Sequence, residues 1–149
     1  RRLIRFASED VGNADPHALQ VTLNARDAYH CIGLPEGKLA LAQATLYLAT
    51  APKSNATYTA YAAAERTVHQ TGSLPVPLHI RNAPTKLMKE LDYGKGYQYA
   101  HDYPDAIVSQ ECLPEEISGR KFYFPAERGY EKIIKERMAY IAKKRKDRP

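Results

Sequence analysis

Tyr97, Tyr99, His101 and Tyr103 stand at strict alternate positions in the segment Tyr93-Gly-Lys-Gly-Tyr-Gln-Tyr-Ala-His-Asp-Tyr-Pro104. Lys86, Lys89 and Lys95 lie just upstream or among them. Aromatic rings can stack on unpaired bases, and ammonium groups can meet phosphates, so this pattern suits a single-stranded nucleic acid. The same tyrosines can equally pin an extended arm to a helical body through ring packing and hydroxyl hydrogen bonds. Both readings stand at the level of sequence.

Other chemistry is poorly supplied. A phosphate-binding loop needs GxxxxGK[ST] between a strand and a helix. Gly37-Lys38 is followed by Leu39 and Gly94-Lys95 by Gly96, so both lack the hydroxyl that would hold magnesium. The histidines His17, His30, His69, His79 and His101 form neither HxxxH nor HExxH, which gives no zinc site. Adjacent residues of an extended segment point to opposite faces, so His101 and Asp102 do not converge as an acid/base pair. Glu9-Asp10 reads as a helix–helix corner in which a carboxylate ties down backbone N–H groups. Cys31 and Cys112 are far apart and have no CxxC context, which fits a reducing compartment better than a disulfide framework. No catalytic, cofactor-binding or metal-binding residue is assigned.

The formal charge is +5, but residues 143–148, Lys-Lys-Arg-Lys-Asp-Arg, supply +4 of it and leave the body at +1. This basic tail, 143–149, reads as a solvated helix end; if it meets phosphate, it does so without sequence preference. The most apolar stretch, 39–51, is too short to span a bilayer and contains Gln43, Thr45 and Thr50, so no membrane is expected.

The elements that must position these groups read as helices. The chain opens mid-helix in character, with no capping residue ahead of Arg1, as if a first helix were truncated. Asp15-Pro16 starts a helix that Gly33 and Pro35 stop. A second helix follows Pro35-Glu36 and ends at Pro52, with Leu39, Leu41, Leu46, Tyr47 and Leu48 covering nearly every side. A helix apolar all round must be covered all round, by its own fold or by another subunit. Ser54-Asn55 begins an alanine-rich third helix to about residue 70, with Tyr58 and Tyr61 as the bulk of its buried face. A short helix is predicted over 84–91, one helical turn over 114–119, and a last helix over about 126–146. The sum is an all-α domain, one unit over 1–149, with a long irregular arm over 74–125. Loops of that length usually carry function or interactions.

Eight motifs in order now point to a family: Arg5-Phe-Ala-Ser-Glu-Asp-Val-Gly-Asn-Ala-Asp-Pro16, Leu34-Pro-Glu-Gly37, Leu41-Ala-Gln43, Ala51-Pro-Lys-Ser-Asn55, Leu74-Pro-Val-Pro-Leu78, Gly94-Lys-Gly-Tyr97, His101-Asp-Tyr-Pro104 and Phe122-Tyr-Phe-Pro125. Together they resemble the C-terminal part of the replication-associated recombination protein A family, whose eukaryotic relatives include the Werner helicase-interacting protein. The resemblance implies a helical collar like that of clamp loaders, joined in the parent protein to an AAA+ ATPase core that holds ATP and magnesium. It further implies a homotetramer acting at stalled or damaged replication forks, with DNA and single-stranded-DNA-binding protein as partners and a cytoplasmic, nucleoid-associated location. No catalytic residue carries over to this segment, which is itself no enzyme on this reading.

The leading expectation is therefore an oligomerisation domain, with Leu39, Leu41, Leu46, Tyr47, Leu48, Tyr58 and Tyr61 as interface candidates. The plain alternative buries the same side chains within one chain. The second functional reading is a single-stranded nucleic-acid-binding module, with Lys86, Lys89, Lys95, Tyr97 and Tyr99 as contact candidates.

Overall fold

The computed structural model describes residues 1–147. Its regular structure is helical, with no strand among the described residues. The described residues include six α-helices: α1 (Arg2–Phe6), α2 (His17–Ile32), α3 (Lys38–Thr50), α4 (Ala56–Thr71), α5 (Lys86–Glu90) and α6 (Glu131–Lys146). Backbone contacts divide the chain into two compact units, Arg1–Glu65 with Phe122–Arg137, and Arg66–Lys121 with Met138–Pro149.

The first unit is built on α2 and α3. Asp15 accepts the His17 N–H at 3.1 Å through Oδ1, and Pro16 follows with its φ already helical. At the other end Gly33, at φ +77°, donates its N–H to the Tyr29 carbonyl and stops the helix. The inward face of α2 is Ala18, Thr22 and Ala25, spaced as one helical stripe. Small side chains there let α3 approach closely and set Ala44 and Leu48 against them. The core cluster is Ala7, Val11, Ala18 and Leu48, flanked by Leu3, Tyr47 and Ala51. Half of its four buried members are alanines, so the apolar area behind the unit is modest.

Ahead of α2, the chain passes through a wide π-type turn over Ala7–Val11 and a 3-10 turn over Gly12–Ala14. The carboxylates of this corner behave differently from expectation. Glu9 pairs with Arg5 at 2.7 Å. Asp10 contributes its carbonyl, which accepts the Ser54 N–H at 2.8 Å.

The last helix begins five residues later than predicted, at Glu131 rather than near residue 126. Tyr130 donates its N–H to the Ala14 carbonyl at 2.7 Å. Gly129, at φ +52°, lies so close to that carbonyl and to Pro52 that a Cβ has no room. The backbone is diverted to bond the Gly12–Ala14 corner before it can turn helically.

That late start buries Glu131 completely, at 0% exposure. Its carboxylate accepts Ser54 Oγ–H at 2.6 Å and the Ala126 N–H at 2.7 Å on Oε2, and Tyr123 O–H at 2.7 Å on Oε1. Asn13 Nδ2 donates to the Tyr123 hydroxyl at 3.2 Å, and Ser54 Oγ accepts the Ala56 N–H at 3.2 Å. A buried carboxylate is tolerable only when so served; its place at the start of α6 adds the favourable end of the helix dipole. Burial and the bond to Glu131 push the Tyr123 phenol above its usual range.

The part of the 74–125 arm that lies in the second unit is irregular, as expected, with short helical turns among stretches of no regular structure. Short 3-10 turns occupy Leu78–Ile80, Ala100–Asp102, Pro104–Ala106 and Glu115–Ile117, with α5 among them. Thr85 caps α5 by accepting the Met88 N–H.

Replacing Glu131 with Ala leaves buried donors on Ser54, Tyr123 and Ala126 without an acceptor, each costing about 1–3 kcal/mol. Urea denaturation is expected to show a loss of about 3 kcal/mol or more. Tyr123→Phe loses less, about 1–3 kcal/mol, and the double substitution costs less than the sum because both sit in one network.

Candidate functional site

The interface candidates separate by burial. Leu48 is packed in the core, and Leu41 is half-buried. Tyr47 is half-buried too: its hydroxyl donates to Asp15 Oδ2 at 2.6 Å, and that bond raises the phenol above its ordinary pKa. Leu39 and Leu46 instead face outward at 76% and 69% exposure. Tyr58 and Tyr61 do not form the buried face of α4 as predicted; they stand exposed, at 55% and 68%. The reason lies in the helix's own composition: Ala60, Ala62, Ala63 and Ala64 are the partly covered positions, and small residues let a neighbour approach only on their side. Leu39 and Leu46 on α3 and the tyrosine ridge of α4 are thus left exposed.

In the arm, the basic candidates are largely engaged with neighbours. Lys86 Nζ lies 3.8 Å from Glu90, and Lys95 Nζ 2.9 Å from Asp92. Lys89 is exposed. Tyr97 and Tyr99 are exposed, and the Tyr99 ring meets His101 with centroids 5.1 Å apart. The 3-10 turn over Ala100–Asp102 breaks the alternation read from sequence, because Asp102 and Tyr103 return their N–H groups to Tyr99 and Ala100. His101 and Asp102 therefore lie in a tight turn and not on opposite faces of a strand.

A groove of about 390 Å³ is lined by Val76, Leu78, His79, Arg81, Glu111 and Leu113 among others. Its far wall is organised by Glu111, which the sequence did not single out. One carboxylate oxygen accepts the N–H groups of Cys112 and Leu113, and the other accepts Ser118 Oγ–H and the Gly119 N–H, all within 2.8–3.1 Å. His79 Nε2 lies 2.8 Å from the Glu111 carbonyl. The backbone donors of Leu113 and Gly119 hold this carboxyl below the usual carboxylate range. Neither Glu111 nor Glu131 differs in sequence context from an acid on a solvated surface.

Gly37-Lys38 leads into α3 from another helix rather than from a strand. Among the described residues, no group of three or more His, Cys, Asp or Glu side chains is placed to hold a metal ion. No helix among them is long and apolar enough to cross a membrane.

Glu111 gives the second unit a defined pH response. A depressed folded pKa means that its stabilising bonds are complete above the unfolded value, about 4.3, and are lost as pH falls through the folded value. Amide exchange at Leu113 and Gly119 is expected to be slow near neutrality and to lose protection below about pH 4. In Glu111→Gln that protection is already low at neutral pH.

Comparison with known proteins follows this geometry. The family described as "MgsA AAA+ ATPase C terminal" matches residues 1–142. Replication-associated recombination protein A of Coxiella burnetii is 56% identical over 144 residues, covering 96% of this chain and 33% of that protein. The protein of the same name from Escherichia coli K12 is 49% identical over 150 residues, covering 100% and 34%. ATPase WRNIP1 of Dictyostelium discoideum is 45% identical over 124 residues, covering 83% and 14%. The chain thus spans about a third of the length of the bacterial relatives. With a match over nearly its whole length, this all-α chain belongs to the MgsA AAA+ ATPase C-terminal family, the C-terminal region found in replication-associated recombination protein A.

Proposed function

We propose that this domain is the oligomerisation collar of a DNA-dependent AAA+ ATPase, holding four copies together. The observation that carries the reading is α3, which has apolar residues on nearly every side yet buries only Ala44 and Leu48. Leu39 and Leu46 on α3, with Tyr58 and Tyr61 on α4, are left to solvent. Exposed apolar surface of this kind marks an interaction site.

Such a collar fixes ATPase heads at short spacing, so that several act on one DNA through a high effective concentration. In this proposal ATP and magnesium belong to the ATPase core of the parent protein. DNA and single-stranded-DNA-binding protein are partners of that full-length protein, which works in replication-fork maintenance, recombination and repair in the cytoplasm, at the nucleoid. The relatives' names, and the family's description as an AAA+ ATPase, support this.

Sedimentation at micromolar concentration is expected to give a tetramer. Each interface leucine contributes about 1.5–3 kcal/mol when buried. Leu39→Asp with Leu46→Asp is therefore expected to weaken assembly on the order of 100-fold or more without loss of helix by circular dichroism. Leu48→Asp unfolds the first unit instead. A wild-type chain that stays monomeric at every accessible concentration overturns the proposal.

A further inference from the structure

The second unit brings together two features that lie far apart in sequence. Asp105 sits in the tight turn Pro104–Ala106 with a left-handed backbone, φ +60°. Its Oδ2 accepts the Tyr140 hydroxyl at 3.2 Å and pairs with Lys144 Nζ at 3.0 Å. Lys144 Nζ also lies 5.4 Å from the centre of the Tyr140 ring. The turn that follows the tyrosine-rich segment is thereby clamped to the last turns of α6. Tyr103 is two residues from the clamp, within about 7 Å of chain, and Tyr99 is six residues away, within about 21 Å. The intervening 3-10 turn shortens that reach further.

The last turn of α6 is Lys143, Lys144, Arg145 and Lys146. Lys144 is committed to Asp105. Lys143, Arg145 and Lys146 are exposed, and among the described residues no carboxylate pairs with any of the three. By contrast, Lys86 and Lys95, which flank the tyrosines in sequence, each have a carboxylate neighbour in a surface ion pair, Glu90 at 3.8 Å and Asp92 at 2.9 Å. The cations near the aromatic segment for which no carboxylate partner is found among the described residues are thus Lys89 on α5 and the three on the last turn of α6.

We propose that the 97–103 segment and the last turn of α6 form one binding surface for single-stranded nucleic acid. Exposed Tyr97 and Tyr99 rings, the latter backed by His101, offer faces on which unpaired bases stack. Lys143, Arg145 and Lys146 meet the phosphates. A duplex keeps its bases stacked on one another and offers only the phosphate contacts, so the surface prefers a single strand. Its recognition is of charge and ring faces, and it carries no sequence preference. The inference is independent of the oligomeric state.

The test is fluorescence anisotropy of a labelled oligothymidylate of roughly 15 nucleotides, titrated with the full chain at several salt concentrations. Lys143→Gln with Lys146→Gln is expected to weaken binding by at least about tenfold and to lower the salt slope by about 1.4, two phosphate contacts at 0.7 each. Tyr99→Ala is expected to weaken binding about 5- to 150-fold while leaving the salt slope unchanged, and Tyr99→Phe to bind like wild type. Lys86→Gln with Lys95→Gln is expected to have little effect. Circular dichroism and sedimentation of the same variants separate a folding or assembly defect from a binding one. Wild-type chain that does not bind, equal affinity for a duplex of the same length, or a larger loss from Lys86 and Lys95 than from Lys143 and Lys146 overturns the proposal.

Discussion

The buried carboxylate of Glu131 is the constraint on which the first unit depends. It gathers Ser54 at the entry to α4, Tyr123 and Ala126 from the segment before α6, and, through Tyr123, Asn13 at the corner before α2. These segments are separated by tens of residues, and apolar packing alone does little to fix their register. The buried apolar side chains around them are mainly alanines, with Val11 and Leu48 as the exceptions. Alanine surfaces slide past one another at small cost, whereas a desolvated carboxylate tolerates only the arrangement that keeps all its donors. The diversion at Gly129 is part of the same arrangement, because it starts α6 where Glu131 can reach them.

A small core has a consequence at the surface. Helix α3 satisfies α2 with Ala44 and Leu48 and has apolar residues left over, which Leu39 and Leu46 show most plainly. In α4 the alanines take the covered positions, and the tyrosines are turned out. The fold spends its small residues on close helix approach and leaves its large ones on the outside. That distribution suits a chain whose large apolar side chains find their cover in other copies.

The second unit relies on carboxylates too, but at its surface. Glu111 closes its own loop with four donors, and Asp105 ties the arm to α6. Both acids take the place of a hydrophobic anchor in a segment rich in Pro, Gly and Tyr. The arm is therefore held by a few polar points, and its Tyr97 and Tyr99 rings are exposed.

The sequence determined the helices and their punctuation: Asp15-Pro16, Gly33, Pro52 and Gly72 carry their start and stop signals locally, in φ preferences and side-chain capping bonds. It also determined the family, because eight ordered motifs survive without any knowledge of contacts. Only the tertiary structure decided which apolar residues are inside, since a helix with no polar face gives periodicity nothing to report. Tertiary structure also decided the start of α6, the bend that ends the tyrosine alternation, and which lysines have a carboxylate neighbour. Above all it set Glu131 and Glu111 apart from the other acids. A carboxylate's role is fixed by the donors that converge on it, and those come from residues whose distance in space the sequence does not encode locally.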